Sequence, residues 1–310
     1  MIREILSVLF LLLVLSTTIH AGPVCVDNQV QLQVLGSGGP ELGDQRASSS
    51  YLIWMNGKAL VLIDAGAGSS LNFEKSGAKF EDVEAVVFTH LHVDHSADFP
   101  AFIKASFFTP RDRDLAVYGP TGNELMPATS EFVENLLGDQ GVFRYLNNYV
   151  NRSKESEFHL QTVDVPLGQQ KAQNYRLSKN LSLNAISVHH GPVSALAWRV
   201  NVFDCSITFS GDMSNSYQSL PILAEDTDIL VMNNAVPESA GGIATRLHVR
   251  PSEIGKIASN AGAKRVVLSH RMIRTLGREQ ETEHYIKQFY SGPIEFADDL
   301  DLFILKPQHH

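Results

Sequence analysis

Apolar positions in this chain form short strand-like runs that alternate with stretches of helical spacing. The runs predict strands at 31–35, 50–55, 59–63, 86–88, 181–187, 196–203, 206–209, 228–232, 265–269 and 301–305. Helical spacing predicts helices at about 97–107, 128–137, 140–150, 251–261 and 280–290, and a short one before residue 86. Asn56-Gly57 predicts a tight hairpin between two strands. This order predicts an α/β (α+β) fold with two sheets and helices outside them.

The N-terminus is typical of an export signal. Arg3 precedes an almost wholly apolar run at 5–15, and a small residue, Ala21, follows at a plausible cleavage point. We therefore expect residues 1–21 to be a signal peptide and 22–310 to be one mature domain, secreted or periplasmic, with no stable membrane span after cleavage. A buried N-terminal helix and an uncleaved anchor remain alternatives. Residues 127–159 are the only candidate insertion, a helical one.

The composition limits the kinds of binding partner that we expect. A formal net charge of −9 provides no basic surface for a nucleic-acid backbone, so nucleic acid is not the expected partner. A homodimer is left open. Of the two cysteines, Cys25 and Cys205, the second lies between strand-like runs, which favours a buried free thiol. A disulfide between them is the alternative if the compartment is oxidising.

The most informative segment is Thr89-His90-Leu91-His92-Val93-Asp94-His95, directly after a strand-like run. If His90 and His92 project from the end of that strand, two-residue alternation places them on one side. Asp94 and His95 would follow on the next turn. Imidazole and carboxylate are ligands that zinc prefers. A solvated histidine-rich loop is the alternative, but the alternation and the acidic residue favour a metal site.

Further polar residues follow other apolar runs. Asp64, the pair His189-His190, Asp212 and His270 each come just after a predicted strand, where loops build sites on a rigid scaffold. Taken singly, Asp212 could be a turn residue and His270 a polar strand end. Their joint placement suggests that they belong to the same metal site.

Asp64, His90-x-His92-x-Asp94-His95, His190, Asp212 and His270, in this order, resemble the pattern of the metallo-β-lactamase superfamily. Segments 35–40, 48–52 and 190–200 resemble the branch that contains ribonuclease Z and related secreted arylsulfatases. The resemblance implies a four-layer αββα sandwich, two mixed β-sheets flanked by helices, with metals at one edge between the sheets.

The same resemblance implies a ligand set. His90, His92 and His190 would hold one ion, Asp94, His95 and His270 the second, and Asp212 would bridge both. His189 is the rival of His190, which directly precedes Gly191-Pro192 as in the family. Asp64 would orient the ligands through hydrogen bonds. Two Zn²⁺ ions are the expected cofactors, with Mn²⁺ or iron as alternatives.

Such a site implies hydrolysis by a hydroxide that bridges two ions. Asp94 would also accept a hydrogen bond from this nucleophile. His248 resembles a histidine that sits near the leaving group in ribonuclease-Z-like members, where it could protonate the departing oxygen or stabilise its charge. A surface histidine beside a helix N-terminus is the alternative. We expect a secreted dinuclear-zinc hydrolase of small esters, such as an aryl sulfate, phosphodiester or lactone. The alternatives are a ribonuclease-Z-like endoribonuclease and a non-catalytic zinc-binding protein.

Overall fold

The computed structural model describes residues 29–168 and 170–305. The strands are β1 (Gln31–Gly36), β2 (Ser50–Met55), β3 (Lys58–Ile63), β4 (Ala85–Val87), β5 (Leu115–Pro120), β6 (Leu160–Val165), β7 (Gln173–Arg176), β8 (Leu181–Ser187), β9 (Leu196–Val202), β10 (Cys205–Phe209), β11 (Ile229–Asn233), β12 (Val266–Ser269), β13 (Ile294–Phe296) and β14 (Leu302–Ile304). The α-helices are α1 (Ser69–Lys75), α2 (Val93–Ser96), α3 (Phe99–Ser106), α4 (Thr129–Leu137), α5 (Leu220–Leu223), α6 (Ile243–Leu247), α7 (Pro251–Asn260) and α8 (Glu279–Ile286).

Two mixed sheets of seven strands form the centre of the molecule. The first has the order β14-β1-β2-β3-β4-β5-β6 and the second the order β13-β12-β11-β10-β9-β8-β7. In the first sheet β3 to β6 pair in parallel, and β10 to β13 do the same in the second. Parallel strands place their carboxyl ends at one edge, so the loops that leave both sheets there can converge.

Three apolar layers hold the sheets and helices together. The layer between the sheets contains the buried Trp198, whose indole N–H donates to the carbonyl of Phe88 at 2.9 Å. A second layer lies under α3 and α4 on the outer face of the first sheet, and a third lies under α7 and α8 on the second. The predicted αββα sandwich with two mixed sheets is confirmed.

Most predicted elements are confirmed with small shifts of their ends. Asn56 and Gly57 have φ of 52° and 74°, the left-handed pair that a tight hairpin requires. The prediction missed β5, β6, β7 and β13. The strands β6 and β7 lie at sheet edges and carry polar residues on both faces, while β13 is only three residues long. The helix predicted at 140–150 is a 3-10 helix, Arg144–Tyr149.

Residues 127–159 contain α4 and this 3-10 helix, and they connect β5 to its parallel neighbour β6. Cys205 is disulfide-bonded, so the expected free thiol is wrong. Cys205 begins β10 and is only partly buried, so it is not the buried core thiol that the sequence suggested. The other cysteine, Cys25, and the predicted signal peptide lie outside the described residues. Within 29–168 and 170–305, no helix combines the length and apolar character that crossing a membrane requires.

Candidate metal centre

The predicted site residues meet at the edge where loops leave both sheets. The first sheet contributes the segment after β4, which ends at Val87, earlier than the sequence suggested. His90 and His92 therefore lie in a loop and at the start of α2, not on a strand. Their rings still meet, because Thr89 N–H donates to the carboxylate of Asp64 at 2.7 Å and turns the chain toward the edge.

Three histidines form the first ligand cluster, His90, His92 and His190. The Nε2 of His90 lies 3.0 Å from Nδ1 of His92, and the Nε2 of His190 lies 3.4 Å from the same atom. Ligand nitrogens about 2.0–2.1 Å from a tetrahedral zinc ion are about 3.3 Å apart. The three ring nitrogens therefore have the spacing that one ion requires.

The second ligand cluster consists of Asp94, His95, Asp212 and His270, all buried. The Nε2 of His270 lies 3.3 Å from Oδ2 of Asp94 and 3.1 Å from Oδ2 of Asp212. The Nε2 of His95 lies 3.6 Å and 3.8 Å from the same two oxygens. The Nε2 of His95 is buried without a hydrogen-bond partner among the described residues, which fits a nitrogen that binds a cation.

Asp212 lies between the two clusters. Its Oδ2 is 3.1 Å from Nε2 of His270 in the second cluster and 3.9 Å from Nε2 of His190 in the first. A carboxylate in this position can contribute one oxygen, or both, to two neighbouring ions. The donor set therefore fits two divalent cations side by side.

Hydrogen bonds outside the clusters set the orientation of the histidines. Asp64 accepts from Nδ1 of His95 at 2.7 Å and from the hydroxyl of Thr89 at 2.8 Å. The Nδ1 of His190 donates to the carbonyl of Leu247 at 2.9 Å. Each bond engages one ring nitrogen and leaves the other free to bind a metal. Asp64 thus occupies the orienting position that the resemblance implied.

The backbone is unusual at two of these residues. Asp64 and His270 have φ of 54° and 49°, in the left-handed region, directly where β3 and β12 end. Such strained positions are tolerated where the surrounding structure fixes them. Gly39 packs against the ring of His270, since an added Cβ would lie 2.8 Å from its Cε1. A larger residue there would displace this ligand.

The protonation states suit metal binding in different ways in the two clusters. Burial lowers the pKa of His90, His92 and His190, so these rings are neutral, the form that binds metal. In the second cluster burial alone would lower the pKa of His270, but Asp212 and Asp94 outweigh it and raise it well above its usual range. The carboxylates raise the pKa of His95 as well, because they outweigh its burial.

The structure also places the two disputed histidines. His189 turns away from the clusters and its Nδ1 bonds the hydroxyl of Ser214 at 2.6 Å. His248 is buried beside both clusters, with Nδ1 3.8 Å from Oδ2 of Asp212. Burial lowers the pKa of His248 to about 4, so its ring is neutral near neutral pH. It is therefore not a surface histidine.

Two contributors had no assigned role in the sequence reasoning. Thr89 ties Asp64 to the histidine loop, and its place directly before His90 was the available signal. The carbonyl of Leu247 had no signal at all, because a backbone atom is invisible in a residue pattern.

The chain is similar in sequence to proteins of known family. Residues 43–242 match the family model described as the Metallo-beta-lactamase superfamily. The chain is 26% identical over 302 residues to ribonuclease Z of Thermobifida fusca (strain YX), covering 87% of this chain and 93% of that one. It is 27% identical over 268 residues to ribonuclease Z of Myxococcus xanthus (strain DK1622), covering 77% and 86%.

Two solved structures share the fold. The metallo-beta-lactamase fold protein YhfI from Bacillus subtilis superposes with a TM-score of 0.69 at 20% identity, covering 89% of this chain and 99% of that chain. The short form of human tRNase Z superposes with a TM-score of 0.68 at 18% identity, covering 89% and 100%. At this identity the likeness shows the architecture alone.

Proposed function

Because the chain belongs to the metallo-β-lactamase superfamily, we propose that it is a dinuclear phosphodiesterase, within its established class of metal-dependent ester hydrolases. The observation that carries the proposal is the position of Asp212 Oδ2, which lies within 3.1–3.9 Å of imidazole nitrogens from both clusters. Two adjacent cations suit the displacement at an anionic phosphoryl group. The curated relatives are named ribonuclease Z, which also favours phosphodiesters over the aryl sulfates and lactones first expected.

We assign His90, His92 and His190 to one ion and Asp94, His95 and His270 to the other, with Asp212 between them. Bound divalent ions would lower the pKa of water to about 7 and offset the charge on the phosphoryl oxygens. Zinc suits the nitrogen-rich donor set, and Mn²⁺ or iron remain alternatives.

Two side chains would assist the reaction, Asp94 at the attacking water and His248 at the leaving oxygen. The oxygen of water bonds to phosphorus while the bond from phosphorus to the leaving oxygen breaks. Asp94 would accept a hydrogen bond from the attacking water and then its proton, and the leaving oxygen would take up one proton from solvent, so that the two transfers balance. His248 is neutral, so it would donate a hydrogen bond to the leaving oxygen and stabilise its charge.

We further propose that the mature protein is secreted or periplasmic. The apolar N-terminal pattern supports export. The disulfide at Cys205 supports an oxidising compartment. N-terminal sequencing of the mature protein should begin near residue 22, and material that retains Met1 in the cytosol would contradict export.

The activity is tested with matched chromogenic esters. Metal-loaded protein should hydrolyse bis(p-nitrophenyl) phosphate faster than p-nitrophenyl sulfate, a lactone or a β-lactam, and a chelator should abolish turnover. A comparable or faster rate on the sulfate or the lactone would overturn the phosphodiester assignment. Processing of a precursor tRNA at a higher kcat/KM than any small ester would instead identify an RNA-processing enzyme.

A further inference from the structure

A polar cleft opens beside the metal centre on the side of His248. It has a volume of about 410 Å³ and lies between the segment after Asp212 and the start of α7. His248 forms part of its wall and also lies next to Asp212. A substrate whose phosphorus sits at the ions would therefore extend its leaving group past His248 into this cleft.

Four hydroxyl groups line the cleft, beside three charged side chains, those of Arg250, Glu253 and Lys256. Ser214, Ser216, Thr245 and Ser252 line it, together with the amide of Asn215. Ser216 is exposed, and its hydroxyl bonds that of Ser214 at 2.9 Å, which in turn bonds His189. These groups can both donate and accept, as the hydroxyls of a polyol do.

Part of the charge around the cleft is already paired, while Arg250 is exposed and pairs with no carboxylate among the described residues. Lys256 pairs with Glu253 at 3.4 Å, and Arg250 Nε donates to the carbonyl of Ala240 at 2.9 Å. The start of α7 is already capped, because Glu238 accepts from the backbone N–H and the hydroxyl of Ser252 at 2.9 and 2.7 Å. An anion on the leaving group would have to compete with these carboxylates.

We propose that this cleft is the leaving-group subsite and that it selects a neutral polyhydroxylated alcohol, such as glycerol or a sugar. The inference rests on the proposed phosphodiesterase activity and narrows its substrate class. The leaving alcohol would exchange hydrogen bonds with Ser216 and Thr245 while its departing oxygen faces His248. A nucleic-acid strand, whose leaving portion carries further phosphates, fits this wall less well.

The test compares two dialkyl phosphates that differ in hydroxyl groups. Bis(glycerol) phosphate should be hydrolysed with a higher kcat/KM than di-n-propyl phosphate, which has the same carbon number. The double substitution Ser216→Ala with Thr245→Val should reduce kcat/KM on bis(glycerol) phosphate by about 5- to 20-fold, the effect of one or two lost hydrogen bonds. The loss on di-n-propyl and bis(p-nitrophenyl) phosphate should be much smaller, because their leaving groups carry no hydroxyl to bond these two side chains.

Ser178→Ala is the control, since Ser178 is also exposed but lies on the turn between β7 and β8. Equal loss on the glycerol and propyl esters in the double variant would overturn the subsite, as would a dinucleotide cleaved faster than bis(glycerol) phosphate. In both cases turnover of bis(p-nitrophenyl) phosphate would leave the phosphodiesterase proposal standing. Absence of metal-dependent turnover on every phosphodiester would overturn both.

Discussion

Replacing Asp64 by Asn should weaken the second metal without unfolding the protein. Asp64 is buried and receives three donors: the N–H of Thr89 at 2.7 Å, its hydroxyl at 2.8 Å and Nδ1 of His95 at 2.7 Å. Asn has nearly the same shape and tolerates the left-handed backbone found there. The substitution therefore changes the hydrogen bonds and the charge but little of the packing.

The expected loss of metal affinity depends on which carboxylate oxygen of Asp64 becomes the NH₂ group of Asn. Oδ1 serves the N–H of Thr89, so the new NH₂ would take the position of Oδ2 and point at Nδ1 of His95. His95 would then carry its proton on Nε2, the nitrogen that faces Asp94 and Asp212. Loss of such an orienting partner typically costs 10- to 100-fold in metal affinity, which corresponds to about 1.4–2.7 kcal/mol.

Competition with a chromophoric chelator measures this affinity, and circular dichroism monitors the fold. Asp98→Asn is the matched control, because within the described part of the chain the carboxylate of Asp98 accepts only from Ser70 on α1, at 2.9 and 2.8 Å. One ion should bind Asp64→Asn with near-normal affinity and the other more weakly. Two ions bound with unchanged affinity would refute the idea that Asp64 fixes the tautomer of His95.

Four further outcomes are expected. Elemental analysis of active protein should find two metals per chain, and one ion with activity insensitive to His270→Ala would contradict the second cluster. Asp212→Ala should lose metal and activity together, because Oδ2 faces nitrogens of both clusters. His248→Ala should keep both metals but lose about 100- to 1000-fold in kcat on poor leaving groups and less on nitrophenyl esters; an equal loss on both would exclude a leaving-group role. As the pH falls, the second cluster should lose its ion before the first. Burial lowers the pKa of His95 and His270, but the nearby carboxylates outweigh burial and raise both pKa values, whereas the pKa values of His90 and His190 are lowered. Protons therefore compete with the metal for His95 and His270 at a higher pH than for His90 and His190. Metal content after dialysis across pH would show this order.

The sequence revealed the layered fold because its buried strands are strongly apolar. The strands β8 to β11 were found almost to the residue. The strand β11 is apolar on both faces, while β8 to β10 alternate apolar and polar residues with the two-residue period of a strand. The strands β6 and β7 were missed because at a sheet edge a strand keeps polar residues without cost. Local pattern does not encode which edge a segment will occupy.

The sequence identified the parts of the site that are formed by side chains. The seven predicted ligand residues meet in two clusters, with Asp212 in the second, and His189 points away from both. That these residues bind metal stays a prediction. The assumed strand under His90 and His92 was wrong, because Thr89 leaves the sheet to bond Asp64. The role of the Leu247 carbonyl depends on chain path alone, and so it could not be read from residue types.

The ligands are spread along the chain, from His90 after β4 to His270 after β12. A chain synthesised from its N-terminus therefore carries four of the seven donors early, three histidines and one aspartate, but completes neither cluster until strands of the second sheet have been made. The first cluster closes when His190 arrives after β8, and the second only when His270 does. Metal uptake is consequently a late event in assembly, and a chain truncated anywhere before β12 lacks the second cluster. Two bound metals per chain would thus indicate that both sheets have folded.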